Sequence, residues 1–378
     1  MLDFLKERLQ QARIARGINK STLSMLSSIT QTSISNYEAG KQLPRPDAIT
    51  KLANALSVPE AFFFKPLAPP LESPVFFRSF TRQKKVFQEQ WAQQSAWLEE
   101  LLNIYLQYID LPELKIPQIT LGENWESVPS ATIEDIAYRT RAALGLGYGA
   151  VPNMIKLMEN SGCVVLRVDM DPSEFAFSRW LLGNRVPCIF VTSETTACRD
   201  RMSVAHELGH LVMHRNITLT DKNRKIVEDQ ANVYASAFLM PEMGYAKDLR
   251  YTNLDGFKSL KKKWGVSISA QIMRCSQLNI IPEKIKHYLY IHLSKKGWRT
   301  NEPFDDEMPL ETPNLLNAAT KMLISSLGVT KEDISTRLGL SFFDIARLSG
   351  TPIDYFIVQD EDVQIIPKAK RIYFNRNR

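Results

Sequence analysis

The sequence predicts a mainly α protein with a small β-sheet (α+β): an N-terminal helical bundle, a larger helix-rich domain and a C-terminal helical segment. Three observations carry this expectation. Apolar residues recur at helical spacing through most of the chain, as at Leu5, Leu9 and Ala12 or Ile49, Leu52 and Leu56. β-branched runs are confined to two short stretches, Cys163–Val168 and Val186–Thr192. Prolines cluster at positions 59, 66, 69, 70 and 74 and again at 303, 309 and 313, where the missing amide donor interrupts regular elements.

With 378 residues, 44% of them apolar, the chain is large enough for two or three ordinary domains. Its apolar runs fall far short of the ~18–20 residues of a membrane span, and charges at Asp3, Lys6 and Glu7 leave no secretory signal, so no membrane partner and a cytoplasmic location are expected. Four scattered cysteines without a CxxC pair read as reduced thiols. The net charge of +6 is modest, but residues 1–60 hold eight cations against five acids.

In chain order, helices are expected around Leu5–Ala12, around Leu23 and Leu26, from Thr30, and across Ile49–Leu56, followed by a linker over 59–74. A long helix over about 81–110 carries Trp91, Trp97, Leu98, Leu101, Leu102 and Tyr105. Two helices between 132 and 160, the two strands, and helices from about 199 to 290 follow. The acidic cluster Glu302, Asp305, Asp306, Glu307 and Glu311 reads as a second linker or exposed loop. Near the end, Leu327–Ile334 and Leu338–Ile345 echo each other eleven residues apart; each has Thr or Ser followed three residues later by Asp, so two successive helix starts are expected. The basic tail from Lys368 reads as a solvated end. The expected domains are 1–66, a linker and long helix over 67–115, 116–303, and 304–378.

The stretch Val204-Ala-His-Glu-Leu-Gly-His-Leu-Val-Met-His214 carries chemistry. At ~100° per residue, His206 and His210 lie ~40° apart on one helix face and about 6 Å apart along the axis, within reach of one tetrahedral Zn2+. Val204, Leu208 and Leu211 fall on the other side as a buried stripe. Glu207 is placed to act as general base on a water and to carry the proton to a leaving amine, which is peptide hydrolysis. Gly209 costs ~1 kcal/mol relative to alanine inside a helix, which implies close approach by a neighbour. The third ligand is sought among Asp221, Glu228, Asp229 and His214. His214 lies ~12 Å from His206 along the axis and reads as a supporting residue. Glu228 opens a helix ending at Pro241, whose Ala231 and Ala235 allow close packing on the metal helix; it is preferred, with Asp229 as the fallback. Cys198 reads as an ordinary thiol rather than one that blocks the metal.

Arg201-Met-Ser-Val-Ala-His-Glu-Leu-Gly-His-Leu-Val-Met-His214, Glu228-x-x-Ala-Asn-x-x-Ala-x-x-Phe-Leu-Met-Pro241 and Trp264-Gly-Val-Ser-Ile-Ser-Ala270 together resemble the ImmA/IrrE family of metallopeptidases. Val75-Phe-Phe-Arg-Ser79 and Gly297-Trp-Arg-Thr-Asn-Glu-Pro303 look like flanking signatures, so the resemblance spans about 75–303. It implies a zincin-like, gluzincin-type zinc endopeptidase that cleaves a transcriptional repressor, with His206, His210 and Glu228 as the zinc ligands. One departure is Gln230, where many members carry a second acid.

Residues 19–41 resemble the XRE/lambda-repressor helix-turn-helix. Leu23, Leu26, Ile34 and Tyr37 are expected inward, with Thr30 as N-cap of the reading helix. Gln31, Thr32, Ser33, Ser35 and Asn36 then face base edges of double-stranded DNA, and Lys41 and Arg45 its phosphates. One such module reads one half-site, which implies a homodimer or higher assembly. The combined expectation is a zinc endopeptidase coupled to DNA binding that cleaves a repressor, or itself, with the substrate adding as a strand beside Val186–Thr192. The alternative is a repressor or antitoxin whose metal domain only senses.

Overall fold

The computed structural model describes residues 3–67, 82–170, 176–357 and 372–373. Its N-terminal helices are α1 (Lys6–Ala15), α2 (Lys20–Ser27), α3 (Gln31–Glu38) and α4 (Pro46–Leu56), followed by the long α5 (Arg82–Tyr105). Then come β1 (Ile109–Asp110), α6 (Ser130–Ala143), α7 (Met154–Asn160), β2 (Val164–Val168), β3 (Ala176–Leu181) and β4 (Val186–Thr192). The helices α8 (Ala197–Met213), α9 (Arg224–Leu239), α10 (Glu242–Asp248), α11 (Leu254–Trp264), α12 (Ile268–Gln277) and α13 (Glu283–Lys295) follow. The chain closes with α14 (Leu315–Ser326), α15 (Lys331–Leu338), α16 (Phe342–Ser349), α17 (Asp354–Ile357) and β5 (Ile372–Tyr373). The mainly α expectation with a small sheet is met; the strands not expected are β1, β3 and β5.

Two compact units result: Met1–Glu72, Ser79–Leu111 and Asn314–Arg378 form one, and Ser73–Arg78 with Pro112–Pro313 form the other. The sequence expectation had kept 1–66, the long helix and 304–378 apart. Contacts distant in sequence gather them, because α5 packs against α1, α14, α15 and α16.

In the first unit, side-chain caps start the helices at the places short polar residues dictate. Asn19 accepts from the Thr22 amide and Thr30 from that of Ser33, each satisfying a donor that has no partner within its helix. Leu9, Ala12, Leu23, Ile34, Tyr37, Ile49, Leu52 and Leu56 form the bundle core. Leu26 is 58% exposed, not inward, since the buried side of α2 runs through Leu23 and Ser27 and leaves Leu26 beside it. The expected linker begins with a 3-10 turn, Glu60–Phe64, whose Phe62 and Phe63 are buried. Phe62 meets Trp97 of α5 edge-on at 5.7 Å. Arg8, fully buried on α1, bonds Glu100 at 2.9 Å and the Lys65 carbonyl at 3.0 Å. The basic tail lies outside the described residues apart from the backbone of β5, which pairs in parallel with β1.

In the second unit, β4 is the central strand, parallel to β2 and antiparallel to β3. The helices α8 and α9 pack against each other, and α8 packs on β3 and β4. The acidic cluster is not a free linker. Glu302 is buried, accepts from the amides of Ile268 and Ser269 at the start of α12, and meets the buried Lys261 at 2.9 Å. Burial alone would pull Lys261 down, but hydrogen bonds to Asp305 and Glu302 outweigh it and raise its pKa. Glu311 likewise binds Arg201 of α8, whose guanidinium also reaches the carbonyls of Val151 at 2.6 Å and Gly265 at 3.2 Å.

Candidate functional site

The α8 segment is helical because Ala, Leu, Met, Glu and Arg dominate it, and its apolar side, Val204, Leu208 and Leu211, is fully buried. Gly209 allows α9 to come close: a Cβ there would sit 2.9 Å from the Tyr234 ring. Small Ala231 and Ala235 on α9 are also buried. Close packing of the two helices brings Glu228 over the histidine pair.

The Nε2 atoms of His206 and His210 are 3.1 Å apart, and Glu228 places one oxygen 3.2 Å from the first and the other 3.6 Å from the second. Four donors around a tetrahedral zinc with bonds of 2.0–2.1 Å are about 3.3 Å from each other, so the spacing matches a metal site. The tautomers agree. The Nδ1–H of His206 donates to Asn232 Oδ1 at 3.0 Å and that of His210 to His214 Nδ1 at 2.9 Å. His214 then donates from Nε2 to Gln230 Oε1 at 3.0 Å, and Gln230 Nε2 donates to the Trp125 carbonyl at 2.7 Å. With those tautomers both histidine Nε2 atoms would turn lone pairs toward the Glu228 carboxylate, an arrangement that a cation among them would relieve. Asp221 and Asp229 are not in this group; among the described residues the possible metal-holding group is His206, His210 and Glu228. His214 is fully buried, and desolvation pulls its pKa down to about 4, keeping it neutral as the relay requires.

Glu207 is also buried, and Ser178 of β3 donates to its Oε2 at 2.6 Å. Beside it opens a cleft of about 720 Å³ lined by Met202, Val233, Ala270, Met273 and Tyr290, with His206 and Glu207 in its wall. A peptide cannot add beside β4, as the sequence suggested, because that strand is paired on both edges. Cys198 is buried away from the histidines with its sulfur 3.9 Å from that of Met308, and burial pushes its thiol up to about 12. It is an inert thiol at neutral pH.

Residues 158–276 match the IrrE N-terminal-like domain. Residues 9–63 match a helix-turn-helix model, so the chain joins a DNA-binding module to an IrrE-like, metallopeptidase-type domain. No curated protein matches the chain. A solved Mycobacterium tuberculosis transcriptional regulator is similar over 47% of this chain at 18% identity, with a TM-score of 0.31. The chain spans about half of that regulator, 52% of its length.

Within the IrrE-like domain, sequence reasoning missed Asn232, Gln230 and Ser178 as supports. Their signal was weak: Asn232 lies one helical turn beyond Glu228, but Ser178 comes from a strand that was not foreseen. In the helix-turn-helix, Gln31, Thr32, Lys41 and Arg45 are exposed and Ser33, Ser35 and Asn36 are half-buried. Ser33 lies 2.8 Å from the Thr30 hydroxyl, which partly occupies it. These residues form one polar surface along α3 and the loop after it.

Proposed function

We propose that the chain is a DNA-binding regulator whose IrrE-like domain is a zinc endopeptidase acting on a transcriptional repressor. The convergence of His206, His210 and Glu228 with Glu207 alongside carries this reading. A zinc ion held by these three residues would supply Lewis-acid polarisation of a peptide carbonyl. Ser178 donates to one oxygen of Glu207 and so orients the carboxylate, which would take a proton from the attacking water and hand it to the leaving nitrogen. Asn232 and His214 fix the two imidazole planes.

Cleavage of a separate protein fits better than self-release. The N-terminal bundle is tied to α5 through Arg8 and Glu100, and Gln94 donates to the Ala15 carbonyl at 2.7 Å. A cut between the bundle and α5 would therefore leave it docked. The DNA half of the proposal places Gln31, Thr32, Ser33, Ser35 and Asn36 at base edges, Lys41 and Arg45 on phosphates, and two chains on two half-sites. The test is to load the purified chain with zinc and incubate it with casein and with a purified helix-turn-helix repressor, comparing wild type with Glu207→Gln. Cleavage by the wild type and none by the variant, at equal zinc content, is expected. Zinc-loaded wild type that cuts neither protein replaces the peptidase with a sensor.

A further inference from the structure

The echo near the C-terminus has a counterpart at the other end of the chain. At a constant offset of 311 residues, α15 falls on α2 and α16 on α3, each helix eight residues long. The correspondence extends to the turns. Gly17 and Gly328 have φ of 68° and 67°. Asn19 and Thr330 are the N-caps, and Ser28 and Gly339 are the left-handed C-caps, at φ 56° and 69°. Thr30 and Ser341 then cap the second helix of each pair. Ser24 donates to the Ile29 carbonyl at 2.6 Å, and Ser335 donates to that of Leu340 at 2.7 Å. The buried positions coincide too: Leu23 with Ile334, Ser27 with Leu338, Ile34 with Ile345 and Tyr37 with Leu348. A three-residue turn between two such helices is the helix-turn-helix arrangement.

The two differ where DNA would be met. Residues 6–56 hold eight cations against three acids, whereas residues 315–357 hold four of each. The loop carrying Lys41 and Arg45 is seven residues long in the first and four in the second. At the five reading positions stand Phe342, Phe343, Asp344, Ala346 and Arg347. Asp344 is 3% exposed and receives both Arg16 nitrogens, at 2.6 and 2.8 Å. Arg16 also donates to the carbonyls of Leu56 and Ser57, at 2.8 and 3.1 Å, which end α4. Arg347 donates to Gln94 of α5 and lies over the Trp91 ring.

We infer that residues 315–357 are a second helix-turn-helix whose reading face has become an intramolecular docking surface, and that its partner is the first helix-turn-helix, gripped at the ends of α1 and α4 and braced on α5. The second copy does not read DNA. It holds the copy that does, at the end of the bundle remote from Lys41 and Arg45 in sequence, so the reading helix stays uncovered.

Hydrogen exchange on the full chain tests this with Asp344→Asn, Arg16→Gln and the double variant. Loss of a charge-assisted bond should speed exchange in α1 and α4 by about 10-fold or more, with strongly non-additive effects and unchanged protection over 158–276 as the folding control. In parallel, Phe343→Ala, a 62% exposed position, should leave binding to a random-sequence DNA duplex unchanged. Unaltered exchange in α1 and α4 overturns the docking role. Weaker duplex binding by Phe343→Ala overturns the loss of reading.

Discussion

The polar face of α8 and the polar face of α3 are built on opposite plans. On α8 every chemically active side chain is buried and bonded to a dedicated support: His206 to Asn232, Glu207 to Ser178, His210 to His214. On α3 and its following loop, Gln31, Thr32, Lys41 and Arg45 stand exposed. A reaction site must be arranged before its substrate comes, since reorganisation during the reaction raises the barrier. A reading face is completed by the duplex it meets. Disturbing α8 should therefore change chemistry and metal affinity, whereas disturbing α3 should change DNA binding and leave the fold intact.

The largest effect should come from Glu207→Gln, which lowers repressor cleavage about 10³-fold while zinc content measured by atomic emission stays at the wild-type level. Replacing His214 or Gln230 by Ala removes a support, not a ligand, and should weaken zinc affinity about 10–100-fold in chelator competition. On the other face, Gln31→Ala and Asn36→Ala should each cost about 1–3 kcal/mol in binding to the chain's upstream DNA with no change in melting temperature; a fall in melting temperature would mean that α3 is pre-arranged like α8. Lys41→Ala should reduce the slope of log affinity against log salt by about 1 in the same titration. The mildest contrast is between caps: Thr30→Ala and Ser341→Ala should each destabilise the unit they share by about 1 kcal/mol in urea unfolding, equal in size if the two helix pairs are equivalent in build.

The candidate metal-holding group was legible because it obeys local geometry. His206 and His210 are one turn apart, and a small-residue stripe on α9 announced the helix that carries Glu228. The reading helix was legible through its Thr30 cap and polar run. Leu26 was misjudged because apolar spacing alone does not fix which side of a short helix is buried, and α2 turns Leu23 and Ser27 inward instead. β3 was missed because it holds no β-branched residue and Ser178 and Arg179 interrupt its apolar run, and with β3 went Ser178 and the central position of β4. The clasp was invisible for a different reason: Arg16 and Asp344 are 328 positions apart, and nothing in either neighbourhood names the other.

The chain leaves the DNA-binding unit after Leu111 and returns to it at Asn314, where Tyr105 of α5 and Thr320 of α14 share a hydrogen bond at 2.5 Å. A gene divided at either of those points would encode two polypeptides that each own part of one hydrophobic core, residues up to 111 on one and from 314 on the other. Co-expressed, they should reassemble without a covalent link, making the protein a natural split reporter; expressed separately, neither half should bind an operator.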